Sequence, residues 1–169
     1  MFHAFDSAGA NRPPARQEWM AVLARAPLAM LESALAGHAQ AEPDWLRRPE
    51  TGLMMIQGRA GGTGERFNLG EVTVTRCALR PRGATADAAV GVAYVLGRDH
   101  RQARLAALAD AFLQDPRHQD RLQRELLDPA RRHLAERAAQ RQARAQSTKV
   151  EFFTVARESS GGADEEGGE

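Results

Sequence analysis

The sequence predicts an α+β protein: a mainly antiparallel sheet of four or five strands, with an N-terminal helical hairpin and C-terminal helices packed on it. Three observations carry this. Glu50–Arg80 holds a short apolar run, Leu53–Gln57, then a glycine-rich interruption, then Val72–Leu79, which is rich in β-branched residues; that is the composition of two pleated, part-buried strands joined by a loop. Val90–Leu96 is a further strand with no polar face, the pattern of a strand covered on both sides. Segments before and after this region repeat their apolar residues at helical spacing.

Taken in order, Met1–Ala15 mixes Gly, Ser, Asn and Pro13-Pro14 and reads as a flexible N-terminal arm. Trp19, Val22, Leu23 and Ala26 then share one helical face; Pro27 interrupts, and Leu28, Leu31 and Leu35 resume the stripe up to Gly37, which reads as a C-cap. Asp44–Arg48 is expected as a short strand carrying Trp45, paired through a Pro49–Gly52 turn with Leu53–Gln57. The loop after it, about eleven residues from Ala60 to Gly70, is long against the usual hairpin loop of about 2–5. Arg80–Ala89 is a polar connection into the Val90 strand. Gly97-Arg98-Asp99-His100 then turns into a helix with Asp99 as N-cap and Gln102 three residues on. Leu105, Leu108 and Phe112 form its buried stripe, and Asp115-Pro116 ends it. Arg117–Ala145 is helical again, kinked or restarted at Asp128-Pro129, since proline is accepted in a first helical turn and not inside a helix. Lys149–Ala156, KVEFFTVA, is expected to be a last strand, and 158–169 is a Gly/Ser/acidic tail expected to be disordered. The organisation expected is therefore one domain over 16–157 between two tails.

At 169 residues the chain can bury a core without covalent staples. The single cysteine, Cys77, excludes an internal disulfide and a cysteine-only metal or iron–sulfur cluster from this chain alone. A net charge of +1 indicates no whole-protein attraction to nucleic acid or membrane. With no secretory pattern and no apolar run of about 18 residues, the expected setting is the cytoplasm. Of 23 basic residues one is lysine (Lys149), which leaves 22 arginines. Arginine forks suit bidentate contact with oxyanions, and a GC-rich genome favours arginine as well.

The glycine loop lacks the GK[ST] of a Walker A motif and runs into a strand, unlike a dinucleotide fingerprint. Two readings stand for it. The backbone N–H groups of Gly61, Gly62, Thr63 and Gly64 can form an anion-binding concavity beside Arg59 and Arg66; alternatively, the loop docks on another subunit without a ligand. At the strand-to-helix turn, Arg98 and His100 can likewise meet an anion at a helix start, unless Asp99 uses those N–H groups itself. Arg76 shares a strand face with Val72, Val74 and Ala78; if covered, it needs a partner such as Glu71, Asp110 or a bound oxyanion. His3, His38, His100, His118 and His133 lack metal-ligand spacing, no nucleophile elbow occurs, and no catalytic residue can be named.

Several quoted strings together resemble the PhnG family, the G subunits of the carbon–phosphorus lyase core complex. They are RQEWMAVLARA (Arg16–Ala26), ETGLMMIQGRAGGTGERFNLGEVTVTRCALR (Glu50–Arg80), GVAYVLGRDHRQARLAALADAFLQD (Gly91–Asp115) and KVEFFTVAR (Lys149–Arg157). GGTGERF, GRDH and EFFT are jointly distinctive. Departures lie at Arg82–Ala89, in EFFTVARE where the family typically reads FFTMVRG, and in the acidic tail. The resemblance implies a transferase subunit that acts with PhnH, PhnI and PhnL-type subunits on ATP and methylphosphonate. The product is α-D-ribose 1-methylphosphonate 5-triphosphate, with release of adenine. It also implies assembly with PhnH, PhnI and PhnJ in a two-fold hetero-oligomer, nucleosidase-type chemistry mainly on PhnI, radical cleavage on PhnJ, ATP as substrate, and no cofactor bound by this chain alone. An assembly module of the same complex and a stand-alone oxyanion or nucleotide binder are the other readings.

Overall fold

A computed structural model describes residues 16–38, 41–83 and 88–148. Its elements are α1 (Arg16–Leu23), α2 (Leu28–Ala34), β1 (Asp44–Arg59), a 3-10 turn (Ala60–Gly62), β2 (Arg66–Arg80), β3 (Gly91–Leu96), α3 (His100–Leu113), α4 (Pro116–Leu122), a π-helical turn (Gln123–Leu127) and α5 (Asp128–Ser147). The three strands pair antiparallel in the order β1-β2-β3. The α+β class stands, with three strands among the described residues rather than four or five.

Part of that difference is a merger. The two strands expected on either side of a Pro49–Gly52 turn are one continuous strand, β1, with register shifts between Trp45 and Arg47, Arg47 and Glu50, and Ile56 and Gln57. Proline lacks the N–H that a central strand must donate, but among the described residues β1 is an edge strand, and bulges absorb the irregularity. The strand expected at Lys149–Ala156 lies outside the described residues.

Helix α3 is the axis of the core. Its leucines and Phe112 face inward as the spacing predicts, and Ala103, Ala106, Ala107, Ala109 and Ala111 are buried as well. Small side chains let the sheet approach one flank and α1, α2 and α4 the others. Gly91 shows how tight that approach is: a Cβ there would collide with the carbonyl oxygen of Ala107 and lie 2.9 Å from Ala111 Cβ. Leu23, Leu31, Leu35, Leu79 and Val95 complete the core around it.

The N-terminal helical hairpin forms as expected, broken at Pro27. Gly37 is not a left-handed cap, for its φ is not positive; α2 ends at Ala34 with Leu35 as its C-cap. The restart at Asp128-Pro129 takes a definite form. Pro129 has no N–H to give the carbonyl four residues back, and just before it Asp128 N–H bonds Gln123 O, a wider i→i−5 closure. The extra residue in that turn brings Leu126 and Leu127 into the core together with Leu122 and Ala130.

The expected burial of β3 on both faces holds for one only. Ala93 and Val95 face α3, while Tyr94 and Leu96, on the other face, are 48% and 68% exposed. β3 pairs with β2 only over Val74–Leu79. Beyond that point β1 and β2 continue alone as a two-stranded ribbon. From Leu53 to Arg59 it extends about 20 Å at ~3.3 Å per residue.

Candidate functional site: the ribbon tip and its base

The candidate residues fall into three places. At the ribbon tip stand Arg59, Gly61, Gly62, Thr63, Gly64 and Arg66. Strand β2 resumes at Arg66, so the connection is residues 60–65 and shorter than the loop expected to reach Gly70. The pairing persists because Phe67 covers Gly58, its ring 3.3 Å from where a Cβ would sit, and Gly70 is taken into the strand at the bulge opposite Ile56. Gly61 and Gly62 adopt φ of 58° and 82°, the left-handed region that glycine enters without strain. The N–H groups of Thr63 and Gly64 both donate to Ala60 O, the latter at 2.8 Å. Arg59 Nη1 donates to Gly64 O at 3.1 Å. Two of the four loop amides are thus turned inward. Among the described residues Arg66 has no ion-pair partner.

At the ribbon base stand Arg98 and His100. Asp99 caps α3 through its carboxylate, which accepts from Gln102 N at 2.9 Å, so that helix start already holds an anion of its own. His100 does something its sequence neighbours did not announce: its Nε2 lies 2.9 Å from Thr51 Oγ1. Thr51 Oγ1 is 3.1 Å from Thr75 Oγ1, and Thr75, fully buried, donates to Gly97 O at 2.8 Å. A carbonyl only accepts, so the Thr75 proton goes to Gly97. Thr51 must then donate to Thr75, and His100 Nε2 must carry a proton and donate to Thr51. The network fixes the imidazole orientation and leaves Nδ1 as the nitrogen outside it. Thr51 and Thr75 are the residues that sequence reasoning missed. Their signal was two threonines on strands expected to pair, which only the register places face to face.

On the sheet face away from the helices, Arg76 Nε donates to Glu50 Oε1 at 2.7 Å, and Arg47 Nη1 donates to the same oxygen at 2.6 Å. Neither Glu71 nor Asp110 is its partner. The face is open, so the pair is half-exposed and its net worth is small. The two guanidinium groups, Arg76 foremost, hold the Glu50 carboxyl below its ordinary range.

Asp110 serves the fold. It is fully buried and accepts from Trp19 Nε1 at 2.8 Å, Val92 N at 2.9 Å and Arg16 Nη2 at 2.7 Å. Cys77 is likewise structural: its Sγ donates to Ala103 O at 3.2 Å, and burial pushes the thiol up to about 12. His38 and His118 pack on the Phe112 ring, with centroids 4.7 and 4.9 Å away. Among the described residues no three His, Cys, Asp or Glu side chains gather as a metal site. No described helix is long and apolar enough to cross a membrane. An apolar groove of about 230 Å³ between α1 and β3 contains none of the candidate residues.

Tip and base are a ribbon's length apart. Fold and site together define a helix-backed α+β protein that presents a basic-tipped β-ribbon. The chain belongs to the family described as phosphonate metabolism protein PhnG, which it matches over residues 14–158. It is also 38% identical over 151 residues to the alpha-D-ribose 1-methylphosphonate 5-triphosphate synthase subunit PhnG of Rhizobium meliloti (strain 1021), covering 84% of this chain and 88% of that protein.

Proposed function

We propose that this chain is the G subunit of an α-D-ribose 1-methylphosphonate 5-triphosphate synthase in phosphonate catabolism, and that it is catalytically incomplete alone. The observation that carries this is the 38% identity, over most of both chains, to a protein named as that subunit. The reaction transfers the ribose triphosphate part of ATP to methylphosphonate and releases adenine, in company with PhnH, PhnI and PhnL-type chains. Assembly with PhnH, PhnI and PhnJ as a two-fold hetero-oligomer in the cytoplasm belongs to the same reading. The chain itself binds no cofactor, and ATP is the substrate of the complex.

The chemistry explains which residues matter. A phosphonate oxygen attacks a sugar carbon that develops positive charge as adenine leaves, so two anionic groups are brought together around it. Fixed positive groups must hold the triphosphate and the phosphonate. Arg59, Arg66 and Arg98 are exposed and free of acidic partners among the described residues, so one or more of them is assigned that role beside a neighbouring chain. His100, oriented through Thr51, is a second donor at the ribbon base. Gly61 and Gly62 let the tip approach a ligand or partner closely. Arg76 is assigned the weakest role, because Glu50 already occupies it.

The test is ATP-dependent adenine release by reconstituted complexes carrying Arg59→Ala, Arg66→Ala or Arg98→Ala. Loss of one anion-stabilising donor is expected to slow turnover about 100-fold in a complex of normal composition. Unchanged turnover for all three rejects the assignment. The inward-turned Thr63 and Gly64 amides favour a second reading, in which the tip only packs against a partner; the same variants would then lose assembly and chemistry together.

A further inference from the structure

The distal β1–β2 ribbon carries exposed apolar side chains on both faces, and nothing in the described chain covers either one. Cross-strand partners share a face, so Leu53 and Met55 lie on the side of Thr51 and Thr75, while Met54 and Ile56 lie on the side of Arg76. Leu53 and Leu69 are 66% and 61% exposed, and Met54, Met55 and Phe67 are each more than 40% exposed. A two-stranded hairpin with no core beneath it is at best marginally stable in water. Apolar area of this extent marks an interaction surface.

We infer that the ribbon inserts into a cleft of a different subunit of the synthase, with one apolar wall against Leu53 and Met55, a second against Met54 and Ile56, and anionic groups at the cleft floor facing Arg59 and Arg66. This rests on the subunit reading above. Three observations select such an occupant over a second copy of the chain. Two ribbons joined edge to edge extend the sheet and leave both apolar faces in water, and two stacked face to face cover only one face each. The bulge at Ile56/Gln57 and Gly70, with its φ of 151°, break the register that an added strand needs along either edge. Finally, a ribbon about 20 Å long and roughly 10 Å wide offers about 400 Å² over its two faces before its edges are added. That is about half of the ~800 Å² per partner of a standard interface, so neither face can be left out. Only a cleft uses all of it.

The experiment co-expresses the full chain, tagged, with its partner subunits and measures the stoichiometry of what co-purifies. Leu53→Lys and Met54→Lys probe the two walls separately, and hydrogen exchange of the ribbon amides is compared between the free chain and the wild-type complex. Each substitution is expected to lower recovery of partner at least about tenfold, since each buries an unpaired charge, while the free variants melt with the wild type. Ribbon amides are expected to be protected only in the complex. Full recovery of partner with either variant, or equal exchange in both states, overturns the inference and leaves the subunit reading intact. If the wild type brings down no partner, both fall. A free chain that dimerises until Leu53 is changed assigns the ribbon to a second copy and overturns the cleft.

Discussion

Asp110 gathers donors from α1, β3 and its own helix neighbour Gln114, whose Nε2 lies 3.5 Å from Oδ2, so one carboxylate ties together the N-terminal helix, the sheet edge and the core helix. Asp110→Ala leaves the Trp19 and Val92 N–H groups without an acceptor and Arg16 without its ion-pair partner. A loss of about 3–5 kcal/mol is expected in chemical denaturation. Gly91→Ala forces α3 off the sheet and should cost about 1–3 kcal/mol by the same measurement. Cys77, with its thiol held up at about 12 by burial, is expected to resist a thiol reagent at neutral pH and to react only as the chain unfolds. Asp115 runs the other way: the Arg117 side chain, helped by the Arg117 backbone N–H, lowers its carboxyl from the ordinary 3.8 to about 2. A lowered carboxyl stabilises the fold in full above the unfolded value and stops doing so as pH falls through the folded one. The Asp115 contribution should therefore disappear between about pH 4 and pH 2, checked by carboxyl NMR titration together with acid melts of Asp115→Asn.

The elements differ in how much each depends on the core. Helix α3 is enclosed on nearly every side, whereas residues 135–147 of α5 are exposed all round among the described residues, with Arg137, Arg141 and Arg144 along one flank. Their amides should exchange with solvent far faster than those of α3, since local opening there exposes no packed surface. The ribbon is similarly independent. Gly61→Ala places a Cβ at φ 58° and is expected to cost about 1–2 kcal/mol of local closure. Faster exchange of the tip amides would report it, while the melting temperature of the body stays where it was. A matching fall in the melting temperature would show that ribbon and core unfold as one unit.

For the whole molecule, basic groups occur at both ends of the ribbon. The isolated chain is expected to release no adenine from ATP, alone or with methylphosphonate. Chromatographic detection of free adenine is the check, and steady release by the purified chain would end the view that neighbouring chains complete the site.

Helices were legible in the sequence where a local rule governs them. Pro27 and Pro129 break helices because proline lacks a donor, Asp99 caps α3 because its carboxylate reaches Gln102 N, and the Leu105–Phe112 stripe faces the core. The family was legible too, from joined strings spread along the chain. What depends on residues distant in sequence was not. β1 runs through Pro49 because it is an edge strand, and Arg76 finds Glu50 because register puts them opposite each other. Thr51, Thr75 and His100 meet because β1, β2 and the start of α3 converge. The chain by itself determined where its helices lie and which family it belongs to, since local propensity and motif spacing are written in neighbouring residues. Only the tertiary structure decided that the glycine loop rides a bare ribbon far from Arg98 and His100, because the distance between two sites is set by how the strands pair.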